Sequence, residues 1–262
     1  MKKISALILA SSIGLAAQAQ VIDPLTGTGG PSGGYTTTLV LDNSHGVSGA
    51  SFTTGASGLS LNFVGSTSDP EQALSLASVG AFSTTFAVGD TLWVDVNVPA
   101  SGILEDFGIA VASTATPTAA SAGNSWNSRT LTDYAEIAVR PQQNAVAGSH
   151  SIGGTLASAT QVGVGSTANI GLLYINWASA DVFNLGYVTT GGVTNSFYTA
   201  TFGGAGDTST TIGAAIGFYG DIRATGTSLG TLSSLAITPE PSTFALCGMG
   251  LAGMFSVMRR KK

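Results

Sequence analysis

Side chains able to do acid–base work are few: 14 Asp and Glu and two His in 262 residues. Retaining glycoside hydrolysis needs two carboxyls about 5 Å apart on one surface. The candidates are Glu105 and Asp106, then Asp133 and Glu136. Neighbours in a strand point to opposite faces, so Glu105 and Asp106 cannot supply the pair from one strand. Asp133 and Glu136 have the wrong parity as well. His45 and His150 lie in Ser/Gly-rich contexts, NSHG and GSHS, that read as solvated loops. No Gly-x-Ser-x-Gly turn accompanies them, and two His without clustered Cys make no zinc site. Asp207 in GGAGDTST and the Asp42-Asn43 turn are oxygen-bearing candidates for Ca²⁺. Asp and Asn in turns mostly serve the backbone, however, and no Asp-x-Asp-x-Asp run occurs. Cys247 sits among Leu246, Gly248 and Met249, an apolar setting that suits packing better than nucleophilic work. The expectation is no catalytic residue, no metal site and no cofactor.

Aromatic rings are the remaining candidates for a binding surface. Trp93, Trp177, Tyr187 and Tyr219 fall in apolar runs, and the two tryptophans are expected in or beside a core. Trp126 lies in GNSWNSRT, a loop-like stretch, and is the candidate glycan contact. Thr36–Thr38 and Thr208–Thr211 are too isolated to make the regular Thr array of an ice-binding face.

The two ends carry chemistry of another kind. Lys2 and Lys3 precede an apolar stretch from Ile4 to Ala17, and Ala17-Gln18-Ala19 follows. This is the basic, apolar, small-x-small order of a secretory signal peptide, with Ala17 and Ala19 as the signal peptidase site and cleavage after Ala19. At the other end stand Pro239, Glu240 and Pro241, then Ser242 to Met258 without a charge, then Arg259, Arg260, Lys261 and Lys262. Seventeen residues rise about 25 Å as a helix, enough for a thin transmembrane span. The basic cluster acts as a cytoplasmic stop and leaves everything before Pro239 outside.

Residues 238 to 262, TPEPSTFALCGMGLAGMFSVMRRKK, resemble the PEP-CTERM sorting signal of Gram-negative bacteria. The same short region is also described as an ice-binding protein C-terminal domain, which implies no ice chemistry. The resemblance implies recognition near Pro239-Glu240-Pro241 by an exosortase, a membrane-embedded cysteine transpeptidase-like enzyme. It also implies transient inner-membrane anchoring, then delivery to the cell surface or extracellular matrix, with exopolysaccharide as an associated partner.

The elements between these ends read as strands. Only 9% of the chain is charged, against about 25% in ordinary domains. Between Gln20 and Thr238 there are 13 acids against three arginines (Arg129, Arg140 and Arg223) and no Lys, a formal charge of −10. Such a surface repels phosphate backbones, so nucleic acid is excluded as a partner. Gln20 to Gly34 is expected to be a flexible lead-in. Ten apolar runs follow between Gly/Ser/Thr/Asn turns: Tyr35–Leu41, Leu59–Val64, Thr91–Val98, Phe107–Ala112, Tyr134–Val139, Gly171–Trp177, Val182–Val188, Phe197–Phe202, Ala214–Tyr219 and Leu232–Ile237. In TLWVDVNV, Leu92, Val94, Val96 and Val98 share one face, and Trp93 and Asp95 the other. A short helix is expected to open at Asp69-Pro70-Glu71, with Asp69 as cap.

The spacing predicts an all-β, jelly-roll β-sandwich ectodomain over 35–238. GDTLWVDVNVP, DFGIAVAS and AIGFYGDIRATGTSLGTLSSLAIT resemble strands of the concanavalin A-like lectin/glucanase fold. The expected organisation is a signal peptide (1–19), the lead-in (20–34), the sandwich (35–238) and the sorting signal (239–262), whose one C-terminal transmembrane helix spans 242–258. The expected role is structural or glycan-associating. The alternative is an extracellular glycan-active enzyme, which a cluster of two or three acids on one concave face would favour.

Overall fold

The structure is a computed structural model that describes residues 19–27, 34–41, 51–64, 71–98, 105–115, 133–153, 155–203, 212–222, 225–227 and 230–239. Among them are sixteen strands: β1 (Gln20–Asp23), β2 (Thr36–Leu41), β3 (Ser51–Gly55), β4 (Gly58–Val64), β5 (Glu71–Ser78), β6 (Thr91–Asn97), β7 (Glu105–Ala112), β8 (Tyr134–Arg140), β9 (Ala145–Ile152), β10 (Thr155–Gly163), β11 (Ile170–Ser179), β12 (Val182–Thr189), β13 (Thr194–Thr201), β14 (Ala215–Ile222), β15 (Thr225–Thr227) and β16 (Thr231–Thr238). The helical content among the described residues is confined to 3₁₀ turns such as Val79–Phe82 and Pro141–Gln143.

The strands form two antiparallel sheets. A nine-stranded sheet runs β13-β12-β11-β6-β16-β4-β15, with β1 added to β16 and β3 to β4. A seven-stranded sheet runs β10-β9-β8-β7-β14-β5-β2. The main core lies between them. Leu92, Val94, Leu173, Ile175, Phe183 and Leu235 from the first sheet meet Phe107, Ile109, Ile137, Val146 and Phe218 from the second. Period-2 alternation sets these faces: β6 buries Leu92, Val94 and Val96 and leaves the residues between them half-exposed. A second apolar cluster, with Leu74, Leu76, Ala110, Tyr134 and Tyr219, lies on the other side of the seven-stranded sheet.

All ten expected strands are present, and the architecture is an all-β sandwich. Two expectations are corrected. Glu71 opens a strand, not the helix expected there, because β5 is laddered on both edges, to β14 and to β2. A local cap signal at Asp69-Pro70 yields to that pairing; both residues lie outside the described ones. The lead-in is not loose throughout. Gln20, Val21 and Asp23 pair with Ile237, Ala236 and Leu235 of the last strand. Leu25 is then fully buried, and Asp23 Oδ1 accepts its backbone N–H at 2.9 Å. Burial, followed by the Asp23 charge, raises the Tyr35 hydroxyl pKa far above its ordinary value.

No helix among the described residues is long and apolar enough to cross a membrane. The expected signal peptide up to Gln18 and the expected span 242–258 lie outside the described residues.

Candidate functional site

The sorting segment grows directly out of the sheet. β16 is flanked by β6 along one edge, with Ala236, Ile237 and Thr238 opposite Trp93, Leu92 and Thr91. Its other edge pairs with β4 at Leu232 and then with β1. The hand-over occurs at an irregularity between Ser233 and Ala236. There Ser234 takes a left-handed backbone, φ 54°, and gives its N–H to the Pro24 carbonyl at 3.2 Å. Thr238 is the last ladder residue. Pro239, which has no N–H to continue a ladder, is the first residue beyond it and is exposed.

The same corner holds the expected N-terminal cut. Gln20 opposes Ile237, so exposed Ala19 stands beside Thr238. A groove of about 410 Å³ opens here on the outer face of the nine-stranded sheet, with Ala19, Val21, Trp93, Asp95, Leu172 and Thr238 in its walls. Val21, 54% exposed, is one of three large apolar side chains left in solvent among the described residues. Trp93 packs on Tyr174 with ring centroids 5.1 Å apart. Tyr174 in turn lies across Gly186, where any Cβ would stand 2.3 Å from its hydroxyl oxygen. Burial raises the Tyr174 hydroxyl pKa. Trp93 therefore sits on an outer face, opposite the core-facing Leu92 and Val94. Trp177 packs at the core margin against Phe183, 5.1 Å between centroids.

The four acids weighed as a catalytic pair, Glu105, Asp106, Asp133 and Glu136, lie in the seven-stranded sheet or just before it. Glu105 and Asp106 point to opposite faces of β7. Glu105 Oε1 accepts the Gly230 N–H at 2.9 Å, while Asp106 Oδ2 accepts Arg140 Nε at 2.8 Å. Gln142 donates to Asp106 Oδ1 at 2.9 Å, and Arg140 donates a second time to Gln161 Oε1 at 2.8 Å. Two strands share this outer face with Asp106. Asp221 opposes it on β14, and Glu136 on β8 accepts Ser149 Oγ at 2.8 Å and Tyr134 Oη at 3.2 Å. All three carboxyls are at most 2% exposed. Asp133, which precedes β8, accepts the Gly153 N–H at 2.6 Å.

His150 departs from the expected solvated loop. It lies in β9, is 6% exposed, and shares a hydrogen bond between Nδ1 and the Tyr198 hydroxyl of the opposite sheet. That hydroxyl donates to the Ser158 carbonyl at 2.9 Å. Burial lowers the imidazole pKa, opposed by a backbone hydrogen bond to Thr201.

Among the expected site residues, Ala19 and Pro239 are therefore brought to one corner. Ala17, Glu240, Pro241, Arg259, Arg260, Lys261, Lys262 and the candidate glycan contact Trp126 lie outside the described residues, as do His45, Asp207, Asp42, Asn43 and Cys247. The sequence reading missed the Arg140–Asp106 pair. Its one available signal was Arg140, one of three basic residues in the whole middle of the chain.

No curated protein matches this chain. Among solved structures, it is similar to a Bacillus licheniformis β-glucanase at 14% identity and a TM-score of 0.46, covering 83% of this chain and 96% of that one. A carbohydrate-binding module of Bacillus subtilis gives 9% identity and a TM-score of 0.40, covering 79% and 96%. Xenopus laevis galectin-Ib gives 11% and 0.32, covering 61% and 98%. Residues 238–261 match the PEP-CTERM protein-sorting motif, which implies an exported protein that an exosortase processes for the cell envelope.

Proposed function

We propose that this chain is an exosortase substrate whose β-sandwich serves a structural or glycan-associating role at the cell surface or in the extracellular matrix of a Gram-negative bacterium. Signal peptidase cuts after Ala19. The apolar run Ser242–Met258 then holds the sandwich at the inner membrane, Arg259–Lys262 stop it from sliding outward, and the exosortase acts at Pro239-Glu240-Pro241. The observation that carries this reading is the sorting motif itself, matched at 238–261 and starting where the last strand ends. Pro241 and Pro239 bias Glu240 and Thr238 toward extended backbone, the form a proteolytic cleft takes.

Changing Pro239, Glu240 and Pro241 together to Ala should leave the anchor but abolish processing. In a host with an exosortase, pulse-chase blotting would show the full-length tail accumulating in the membrane fraction. Wild-type processing of that variant would defeat the sorting role.

One observation favours a second reading, a glycan-active enzyme: Asp106, Glu136 and Asp221 share one face of the seven-stranded sheet. Their surroundings favour a structural role instead. Asp106 is bonded by Arg140 and Gln142, and Glu136 accepts two hydroxyls. A general acid or nucleophile must reach its substrate, and these carboxyls are almost wholly buried.

A further inference from the structure

We propose that the corner formed by Val21, Trp93, Leu172 and Thr238 is a docking surface for the exosortase, contacted while the tail is processed. The proposal rests on the sorting role above and goes beyond it, because that role requires only the motif. The argument is one of length. Thr238 is still laddered to Thr91, and its neighbour Ile237 is held on both sides, by Leu92 and by Gln20. The apolar run begins at Ser242. Only Pro239, Glu240 and Pro241 lie between the sheet and the bilayer, and three residues span at most about 10 Å fully extended.

A membrane-embedded enzyme that closes on so short a segment cannot avoid the sandwich corner from which the segment emerges. That corner is shaped for contact. It holds a groove of about 410 Å³ with half-exposed Val21 and Leu172 in its walls and the Trp93 ring beside them. A concave surface with apolar side chains in its walls gives a partner's side chains a place to seat. The bilayer is the poorer occupant. Asp95 stands in the groove wall, and the domain's charge of −10 repels anionic headgroups. Removal of residues 1–19 would take Ala19 from the groove wall.

The test uses the full-length chain in a host with an exosortase, with conversion of the tailed form to the processed form followed by pulse-chase. Val21→Glu places a charge on an exposed outer position, and Leu172→Glu places one on a half-exposed position of a different strand across the groove. Each should slow conversion by at least about five-fold, the loss expected from one contact worth about 1 kcal/mol. Circular dichroism and melting of the purified sandwich should be unchanged in Val21→Glu at least. A Gly/Ser spacer of about twelve residues between Thr238 and Pro239 frees the motif from the corner. In that background both variants should convert at the rate of their spacer-bearing parent. Wild-type conversion of both variants without the spacer would overturn the proposal, as would equal slowing with and without it. Failure of the sorting role would show separately, as processing of the triple Ala variant.

Discussion

His150 lies where the two sheets meet, joined to Tyr198 and edge-on to Phe202 with centroids 5.3 Å apart. Burial disfavours its imidazolium, so the folded chain binds that proton at lower pH than the unfolded chain does. Below the ordinary histidine value of about 6.5, the unfolded state therefore carries more protons. The stability tied to neutral His150 is present above that pH and is lost as pH falls from about 6.5 toward the depressed folded value. A single proton sets the ceiling on this slope at about 1.4 kcal/mol per pH unit. Urea unfolding at pH 7.5 and pH 5.5 should show a larger loss for the wild type than for His150→Gln, which stays neutral throughout. Equal losses would mean that the imidazole protonates without cost in the fold. The GSHS context hid this residue: its hydrophilic neighbours Ser149 and Ser151 face away from it, toward Glu136 and Tyr134 on the other side of the sheet. Parity alone, had β9 been recognised as a strand, would have put His150 inside.

β9 is hard to read in the sequence because AVAGSHSI has only Val146 and Ile152, one at each end, as large β-branched residues, with Gly, Ser and His between them. It is laddered to β8 and to β10, and a buried Ser149–Glu136 hydrogen bond that no local pattern reveals ties it to β8. β10 is polar because it is an edge strand, exposed along nearly its whole length. The expected strands, by contrast, present a clear apolar face to the core, as β6 and β16 do. The C-terminal sorting motif is legible in the sequence, yet β1 and its pairing with β16 are not, since a four-residue strand is too short to carry a period. Close backbone approach is likewise invisible in sequence. Gly108 of β7 lies opposite Ala138, and a Cβ there would stand 1.9 Å from the Ile137 carbonyl oxygen, a clash with backbone that no rotamer relieves. Gly108→Ala should therefore force β7 and β8 apart and cost at least about 1–3 kcal/mol. Denaturant titration checks this. A loss under about 0.5 kcal/mol would show that the two strands have slack at this row.

The whole molecule is a sandwich whose two described ends meet. Gln20 opposes Ile237, and the strands run antiparallel, so position 19 and position 238 stand side by side at one end of the ladder. In the precursor proposed above, held at the membrane by both termini, a single corner would face the bilayer. The pairing also makes the order of the strands around the ring of the fold separable from where the chain happens to begin. A two-residue Asn-Gly turn is the natural closure of an antiparallel pair, and Thr238–Asn–Gly–Ala19 would convert β16 and β1 into an ordinary hairpin. New ends can be opened between Gly191 and Gly192, two exposed residues in the turn from β12 to β13. Breaking the chain there spares both ladders, and the core receives the same side chains from the same strands. The permuted chain, running from Gly192 through the new hairpin to Gly191 and lacking 1–18 and 239–262, should give the same β-type circular dichroism as residues 19–238. It should also unfold cooperatively, within about 1–2 kcal/mol of that parent, the range in which loop changes normally fall. A permutant that aggregates or melts without cooperativity, beside a parent that folds, would show that β1 does not hold its place on β16. The common corner of positions 19 and 238 would then be lost.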